Sequence, residues 1–303
     1  MRMGLDLGGT KIEAAVLAND GRIMLRRRIS SPQGDYAATV EVLANLVLSC
    51  EAEVGATGTV GVGIPGAVSP ATGLVKNANS TWLIGKPLAE DLSARVGRPV
   101  RLANDANCFA LSEAVDGAGA GAETVFGVIL GTGVGGGIVV GGRPVVGANA
   151  LSGEWGHNPL PGMRGGTGPD AEWPGPPCYC GRSGCIETFL SGPGLARDYH
   201  AHTGSHLAAD AIAARATDGD AEAASCLARY EDRLARGLAS IINVLDPDVI
   251  VLGGGLSNVS RLYENVPRLW PRHVFSDAVI TKLLPPAHGD SSGVRGAAWL
   301  WPG

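Results

Sequence analysis

The chain has 303 residues, of which 45% are hydrophobic and 17% charged, which is typical of a well-packed globular protein and not of a disordered one. Its formal net charge of −5 argues against a nucleic-acid-binding surface, and no apolar stretch approaches the length that spans a bilayer. The length favours two domains, and because Asp6 and Lys11 interrupt the N-terminal apolar residues, we expect a cytoplasmic protein whose thiols stay reduced.

The N-terminal residues predict a three-stranded meander. One strand runs to Leu7, a turn follows at residues 8–10, and a second strand covers residues 12–17. Asp20-Gly21 is a strong hairpin signal, after which a third strand starts at Arg22.

The next segments alternate between helices and strands. Hydrophobic residues at helical spacing predict a helix over residues 35–54, and residues 58–66 predict a buried strand that enters a turn. Residues 99–115 predict a strand followed by a helix, with the junction at Asn104 and Asp105. An aspartate at such a junction is most often a helix N-cap, but it can also be a general base beside an acceptor hydroxyl, and the local sequence leaves both readings open.

Residues 124–147 repeat the layout of the N-terminal meander. A strand ends at Leu130, a turn occupies residues 131–133, and a strand over residues 137–140 is followed by a glycine turn and a further strand. This internal similarity predicts two related domains. Since strands alternate with helices along the chain, the predicted class is α/β.

Three glycine turns follow predicted strands, at residues 8–11, 131–133 and 253–255. Backbone N–H groups in such turns can cradle phosphate oxygens, so three of them favour a nucleotide polyphosphate held between two domains. None of the turns fits the P-loop pattern or, in context, the dinucleotide-binding pattern. Asp6 lies just before the first turn, where a carboxylate can hold Mg²⁺ directly or through water.

Three of the six cysteines, Cys178, Cys180 and Cys185, lie close together downstream of His157. With the histidine they supply four ligands, the number that a closed structural zinc site requires. A reduced, metal-free cluster is the alternative, and a redox role is disfavoured because the Cys-x-x-Cys pattern is missing. The intervening residues 160–177 show no periodicity, and we interpret them as a flexible lid or an oligomer contact.

The C-terminal half is predicted to be largely helical. The longest helix is expected over residues 219–245, followed by a strand over residues 249–255, and a last helix is expected from Ser291 through Trp299. We interpret the remaining cysteines as buried core thiols and one group of histidines as a solvated loop and not as a second metal site. These residues are Cys50, Cys108 and Cys226, and His200, His202 and His206.

Together these residues resemble the ROK family of sugar kinases, which share the actin/hexokinase duplication. The matching motifs are, in chain order, LDLGGTK, VGIPG, LANDANC, ILGTGVGGG, GEWGH, CYCGRSGCIE, DPDVIVLGGGLS and HGDSSGVRGAAWL. The resemblance covers essentially the whole chain. It implies a duplicated two-domain α/β fold, actin/hexokinase-like (ribonuclease H-like), with a structural zinc loop. The small domain would be residues 1–117 plus 290–303, and the larger one residues 118–289.

The resemblance also implies roles for individual residues. Asp105 would take the proton from the sugar hydroxyl that attacks Mg·ATP. The sugar-binding positions are Asn79, Asn104, Asp105, Glu154, His157 and Glu187, and the zinc ligands are His157, Cys178, Cys180 and Cys185. The nucleotide and Mg²⁺ positions are Asp6, Gly8, Gly9, Thr10, Lys11, Gly131, Thr132, Gly133, Gly253, Gly254 and Gly255. One ring nitrogen of His157 would bind structural Zn²⁺ and the other would face a sugar hydroxyl.

Within the family the chain looks most like the bacterial fructokinases (mannokinases), because of NANSTWL and GEWGHNPLP. The expected reaction is ATP-dependent phosphorylation of the 6-hydroxyl of D-fructose, with N-acetylglucosamine kinase or glucokinase as the alternatives. A sugar-responsive repressor is disfavoured because no helix-turn-helix segment fits before Gly8. A non-catalytic sensor is disfavoured because Asp105 and the phosphate turns are intact. We expect a homodimer, with no nucleic-acid or membrane partner.

Overall fold

The chain divides into two units in the structure, a computed structural model that describes residues 1–289 and 292–301. The first unit comprises Met1–Gly121, Gly137–Ser152 and Ala287–Gly303, and the second comprises Ala122–Gly136 and Gly153–Pro286. The first unit therefore takes in residues 137–152, beyond the predicted boundary at residue 117. The predicted boundary at residue 290 and the predicted helix start at Ser291 lie outside the described residues.

Most predicted elements are present, with boundaries shifted by a few residues. The strands are β1 (Arg2–Leu7), β2 (Lys11–Leu17), β3 (Ile23–Ser30), β4 (Thr59–Ile64), β5 (Ala67–Val68), β6 (Val75–Lys76), β7 (Val100–Asn104), β8 (Thr124–Leu130), β9 (Val134–Val140), β10 (Arg143–Pro144), β11 (Val249–Gly253) and β12 (Lys282–Leu284). The α-helices are α1 (Tyr36–Val54), α2 (Leu88–Val96), α3 (Asp105–Val115), α4 (Ile186–Leu190), α5 (Gly192–Thr203), α6 (Ala209–Thr217), α7 (Ala221–Leu245), α8 (Arg261–Leu269) and α9 (Ser292–Ala298). Short 3₁₀ turns cover Thr81–Leu83, Trp155–His157, Gly255–Asn258 and Trp270–Arg272.

The two five-stranded sheets share one strand order, which confirms the predicted duplication. The first has the order β3-β2-β1-β4-β7 and the second β10-β9-β8-β11-β12, so each reads third, second, first, fourth, fifth in its own chain order. In the first sheet β3, β2 and β1 pair antiparallel, whereas β1, β4 and β7 pair parallel. In the second, β9 and β10 pair antiparallel and β8, β11 and β12 parallel.

The first sheet is covered on both faces because its central strands alternate in side-chain size. On β4 the residues Val60, Val62 and Ile64 join the core that α1 and α2 complete, while Gly61 and Gly63 point to the opposite face. Helices α3 and α9 occupy that opposite face. Asp6 on β1 also points there, because its neighbours Leu5 and Leu7 belong to the α1 side.

Helix α9 approaches the first sheet so closely that glycine is required at the contacts. A Cβ atom on Gly61 would lie 1.9 Å from the carbonyl oxygen of Ala297, and one on Gly296 would lie 1.6 Å from that of Cys108. Real Cβ atoms do not approach other atoms this closely, so the strand, α3 and α9 share a backbone-to-backbone contact. The C-terminal helix is thus an integral layer of the first unit.

In the second unit the long helix α7 forms the centre of the packing. Its N-cap Asp220 accepts a hydrogen bond from the backbone N–H of Ala223, and it ends at Asp246, whose φ of 48° places it in the left-handed region. Helix α7 contacts α4, α5, α6 and α8. The buried Tyr230 donates from its hydroxyl to the carbonyl of Leu190 at 2.8 Å, which ties α7 to the end of α4.

The segment at residues 160–177 is anchored at Arg164 and Glu172, which argues against a flexible lid, while the alternative of an oligomer contact stays a prediction. Glu172 is 1% exposed and accepts from Arg233 Nε at 2.8 Å and from Arg236 Nη2 at 2.7 Å, both on α7. Its backbone N–H donates to the carbonyl of Arg164 at 2.8 Å, and the N–H of Arg164 donates back to the carboxylate. A buried ion pair therefore holds the middle of this segment against α7.

The histidines expected in a solvated loop and the cysteines expected in the core can now be placed. His200 and His202 lie on α5 and not in a loop, and the ring of His200 stacks on that of His206 at 3.8 Å. Cys50, Cys108 and Cys226 are buried helical thiols as predicted. Within residues 1–289 and 292–301, no helix is long and apolar enough to cross a membrane.

Candidate active site

Asp6 lies in β1 with its carboxylate bordered by two glycines. Cβ atoms built on Gly63 and Gly293 would lie 3.6 Å and 3.5 Å from its carboxylate oxygens. Gly63 pairs with Asp6 on one side and with Ala103 of β7 on the other. Because Gly63 has no side chain, the carboxylate of Asp6 faces the end of β7 across the intervening strand β4.

Asp105 is the first residue of α3, directly after β7. The N-cap is Asn104, whose Oδ1 accepts from the N–H of Ala106 at 2.9 Å. The carboxylate of Asp105 also accepts from Ala106 N–H, at 2.8 Å. The capping role that we considered for Asp105 therefore belongs mainly to its neighbour, and Asp105 is oriented by the first turn of the helix.

Asp6 and Asp105 form an electrostatically coupled pair within the first unit. Burial, followed by the negative charges of Asp105 and Glu13, raises the pKa of Asp6 from 3.8 to about 6. A divalent cation beside the pair would offset this repulsion, and carboxylate oxygens are the ligands that Mg²⁺ prefers. The donor set therefore fits the predicted Mg²⁺ position at Asp6.

Three polar residues of the first unit meet around the turn that follows β4. Asn104 donates from Nδ2 to the carbonyl of Gly66 at 3.1 Å, and the backbone N–H of Asn79 donates to the carbonyl of Pro65 at 3.1 Å. The side chain of Asn79 is exposed and that of Asp105 is half-buried. Asn79 from one motif and the adjacent Asn104 and Asp105 from another thus lie around one turn.

The first predicted phosphate turn connects β1 to β2. Gly8 N–H donates to the carbonyl of Lys11 at 3.0 Å, and the carbonyl of Thr10 accepts from Ser31 N–H at 3.0 Å. These bonds fix both sides of the turn, while Gly9, Thr10 and Lys11 are exposed at its tip. The turn is therefore a rigid loop whose tip faces solvent.

The second turn, residues 131–133, lies in the second unit against Glu187. The Glu187 carboxylate accepts from Val134 N–H at 2.9 Å, and a Cβ atom on Gly133 would lie 2.7 Å from it. Only glycine fits at position 133 without displacing this carboxylate. Glu187 is the second residue of α4 and follows Cys185, the N-cap of that helix, so the cysteine segment reaches the turn directly.

A cavity of about 1070 Å³ in the second unit opens beside this turn. Its walls are Gly131 and Thr132, the start of α5, helix α6 and residues 255–261. Of the three predicted nucleotide-binding glycines, Gly255 lines the cavity, whereas Gly253 is paired with Ile129 and Gly254 packs on the carbonyl of Leu130. The volume lies at the upper end of the range of ligand pockets.

Sequence reasoning missed most of the cavity walls. The lining residues outside the predicted turns are Gly192, Pro193, Ala196, Ala208, Ala209, Asp210, Ala213, Ala214, Ala216, Thr217, Leu256, Asn258, Val259, Ser260 and Arg261. Two sequence features belong to these walls: the small residues of α6 and Ser191, the N-cap of α5. The hydroxyl of Ser191 accepts from Gly194 N–H at 3.2 Å. Neither feature indicates a ligand by itself.

His157, Cys178, Cys180 and Cys185 converge in the second unit, as predicted. Their ligand atoms all lie within 4.8 Å of one another. Cys178 Sγ lies 3.6 Å from His157 Nδ1, and Cys180 Sγ lies 3.6 Å from Cys185 Sγ. Tetrahedral zinc with Zn–S bonds near 2.3 Å needs sulfur atoms roughly 3.8 Å apart. The donor set and its spacing therefore fit zinc.

The protonation of the thiols bears on metal binding. A hydrogen bond from the backbone of Arg182 is the main cause that lowers the pKa of Cys180 to about 6, whereas burial raises the pKa of Cys185 to about 12. Metal ligation requires thiolates, so binding at neutral pH would release protons, among them that of Cys185.

The Trp155–His157 turn fixes the histidine against the sheet. Trp155 is buried, contacts Phe126 edge to face with ring centroids 5.8 Å apart, and donates from Nε1 to the carbonyl of Gly135 at 3.0 Å. Glu154, just before the turn, is exposed. His157 points Nδ1 at the cysteines and Nε2 at the hydroxyl of Tyr179, at 3.0 Å. The ring nitrogen that does not face the cysteines, the one for which we expect a sugar hydroxyl as partner, therefore contacts a tyrosine hydroxyl.

The ROK family model matches residues 2–303 of the chain. The chain belongs to the ROK family. The N-acetyl-D-glucosamine kinase of Salmonella heidelberg is 42% identical to it over 300 residues, which are 99% of both chains. The N-acetyl-D-glucosamine kinase of Escherichia coli O6:H1 is 41% identical over the same length.

Solved ROK structures show the same architecture. A ROK hexokinase from Thermus thermophilus has 32% identity and a TM-score of 0.85, with 99% of this chain and 97% of that one covered. A ROK glucokinase from Streptomyces griseus, in complex with glucose and AMPPNP, has 28% identity and a TM-score of 0.77, with 98% and 97% covered. The chain has the actin/hexokinase-like α/β fold. The expected preference for fructose has no support among these relatives.

Proposed function

We propose that this ROK protein is an ATP-dependent sugar kinase that phosphorylates the 6-hydroxyl of N-acetyl-D-glucosamine. This choice of substrate rests on the 42% identity, over 99% of both chains, to an N-acetyl-D-glucosamine kinase. The expected alternative of N-acetylglucosamine kinase therefore replaces fructokinase as the main hypothesis. The same relationship, together with Asp105 beside Asp6, disfavours a repressor.

The proposed chemistry uses Asp105 as the general base. Its carboxylate accepts the proton of the sugar 6-hydroxyl as the oxygen forms a bond to the γ-phosphorus of ATP and the bond to ADP breaks. Helix α3 holds this carboxylate at its first turn, so little reorientation is needed. We propose that Asp6 holds Mg²⁺, which when bound would neutralise charge on the transferring phosphoryl group.

The remaining roles divide between the two units. We propose that Asn79 and Asn104 in the first unit and Glu154, His157 and Glu187 in the second bind the sugar. The backbone of the turns at residues 8–11 and 131–133 is proposed to bind phosphates. The volume of the cavity beside Thr132 supports it as the nucleoside site. The N-terminus of α5, which adjoins the cavity, favours the negative charge of the phosphates.

The sugar specificity can be tested with a coupled ADP-release assay over N-acetylglucosamine, fructose, mannose and glucose. We expect kcat/KM for N-acetylglucosamine to exceed that for the other three sugars by about tenfold or more, because a pocket that hydrogen-bonds an acetamido group rejects sugars without it. A clear preference for fructose would restore fructokinase as the function.

We also propose that His157, Cys178, Cys180 and Cys185 bind one structural zinc ion. Metal analysis of the purified protein should find about one zinc per chain, and Cys180→Ser should lose it because one of four ligands is removed. Cys50→Ala, which removes a buried thiol of α1 in the other unit, should retain the metal. Wild-type protein that is active and contains no zinc would refute the assignment.

A further inference from the structure

The imidazole of His157 has a different partner at each nitrogen. Nδ1 faces Cys178 Sγ at 3.6 Å, within the cluster that fits zinc, and Nε2 lies 3.0 Å from the hydroxyl oxygen of Tyr179. The two rings also contact edge to face, with centroids 5.2 Å apart and planes at 89°. Tyr179 lies between two of the zinc ligands in sequence, but its side chain is not part of the ligand set.

Zinc ligation limits what Nε2 can do. A neutral imidazole that binds a metal through Nδ1 carries its proton on Nε2, which is then a donor with a single hydrogen. One donor cannot make a full hydrogen bond to two acceptors at once. The hydroxyl oxygen of Tyr179 and a sugar hydroxyl oxygen therefore cannot both accept from His157.

The hydroxyl of Tyr179 lies beside one of the proposed sugar-binding residues of the second unit, because its oxygen is 3.0 Å from Nε2 of His157. The residue is 78% exposed overall. Because so little of its ring is packed, the side chain can rotate away from His157 without disturbing a core.

We propose that the hydroxyl of Tyr179 and a hydroxyl of the sugar compete for Nε2 of His157, so that Tyr179 sets the sugar affinity of the enzyme. The inference rests on the proposed sugar-kinase function and on the sugar-binding role of His157. Tyr179 acts through His157 in this scheme and changes sugar affinity, not the reacting atoms. A sugar binds productively only when its own acceptor replaces the phenol oxygen.

The competition predicts that removing the tyrosine hydroxyl strengthens sugar binding. Tyr179→Phe removes the competing oxygen and keeps the ring, so the sugar Kd and the sugar KM should fall by about two- to tenfold, the effect of one net hydrogen bond. The KM for ATP and kcat should change less than twofold, roughly, since no group at the reacting atoms is altered. A tyrosine that instead bound the sugar directly would give a higher KM in the same variant.

The experiment combines calorimetry with absorbance on the zinc-loaded enzyme. N-acetylglucosamine is titrated without ATP into wild type, Tyr179→Phe and the control Trp173→Phe. The control changes another exposed aromatic residue, six positions before Tyr179. We expect tighter binding only in Tyr179→Phe. A tyrosine difference absorbance should accompany sugar binding in wild type and in the control, and it should be absent in Tyr179→Phe.

The outcomes separate this inference from the proposed function. Equal or weaker sugar binding by Tyr179→Phe, in a protein that still phosphorylates the sugar, would overturn the competition and leave the kinase assignment intact. If none of N-acetylglucosamine, fructose, mannose and glucose bound to wild type or variant, the proposed function would fail and the competition with it.

Discussion

Asp105→Asn should lower kcat by about 10²- to 10⁴-fold, the usual contribution of a general base, while sugar binding changes little. The amide keeps the shape of the side chain and can still occupy the first turn of α3, but it cannot accept the proton of the attacking hydroxyl. Helix α3 should remain capped because the cap is Asn104. Steady-state kinetics and sugar calorimetry on the same preparation measure the two effects separately.

The matched control for this variant is Asp35→Asn. Asp35 is also an aspartate at the start of a helix in the first unit, where it is the N-cap of α1 and accepts from Ala38 N–H at 2.9 Å. Asparagine caps helices as well as aspartate does, so both stability and kcat should be unchanged. A near-normal rate for Asp105→Asn would remove Asp105 from the base assignment.

Glu172→Gln should lower the free energy of unfolding by about 1.5–3 kcal/mol, the usual contribution of hydrogen bonds to charged groups, because Arg233 and Arg236 keep their second carboxylates, Asp198 and Asp232. Arg233 and Arg236 are each 6% exposed at the side chain, so loss of the carboxylate leaves two buried guanidinium groups without their shared anion. Denaturant titration measures the difference. Glu53→Gln is the control, since the Arg27–Glu53 pair is largely exposed and should contribute at most about 1 kcal/mol.

The same ion pair predicts how stability depends on pH. Burial opposes ionisation of Glu172, but the hydrogen bonds from Arg236 and Arg233 prevail and lower its pKa below 4.5. An acid whose pKa is lower in the folded state stabilises the fold above its unfolded pKa and loses that contribution as pH falls. The difference in stability between wild type and Glu172→Gln should therefore shrink as the pH is lowered below about 4.5. A constant difference down to pH 3, roughly, would contradict the assigned cause.

Local patterns were sufficient to predict most of the fold. The alternation in VGVGI and the apolar spacing of α1 depend on neighbours within a few residues, so the sequence alone indicates the element and its buried face. The shared layout of the two meanders likewise predicted two sheets with one strand order. The junction at Asn104 and Asp105 was also placed correctly, but the local sequence left open whether Asp105 is the cap, and the structure gives that role to Asn104.

What could not be predicted depends on residues distant in the chain. Glu172 is one acid in a Pro/Gly-rich segment, and its partners Arg233 and Arg236 lie 61 and 64 positions away. In the sequence Tyr179 is simply the residue between two cysteines, and its contact with His157 is evident only in the folded structure. The sugar preference was inferred from NANSTWL and GEWGHNPLP, but short motifs do not encode the shape of a pocket, and the relatives favour a different sugar.

The position of α9 has a consequence for synthesis on the ribosome. Helix α9 is the last described element of the chain, yet it lies directly on β4 and α3 through Gly61 and Gly296. The first unit therefore lacks one of its layers until α9 has been translated. Because contacts of such large sequence separation form slowly, the nascent first sheet should remain incompletely folded, with the apolar surface around Ala15 and Leu17 uncovered, until α9 leaves the exit tunnel.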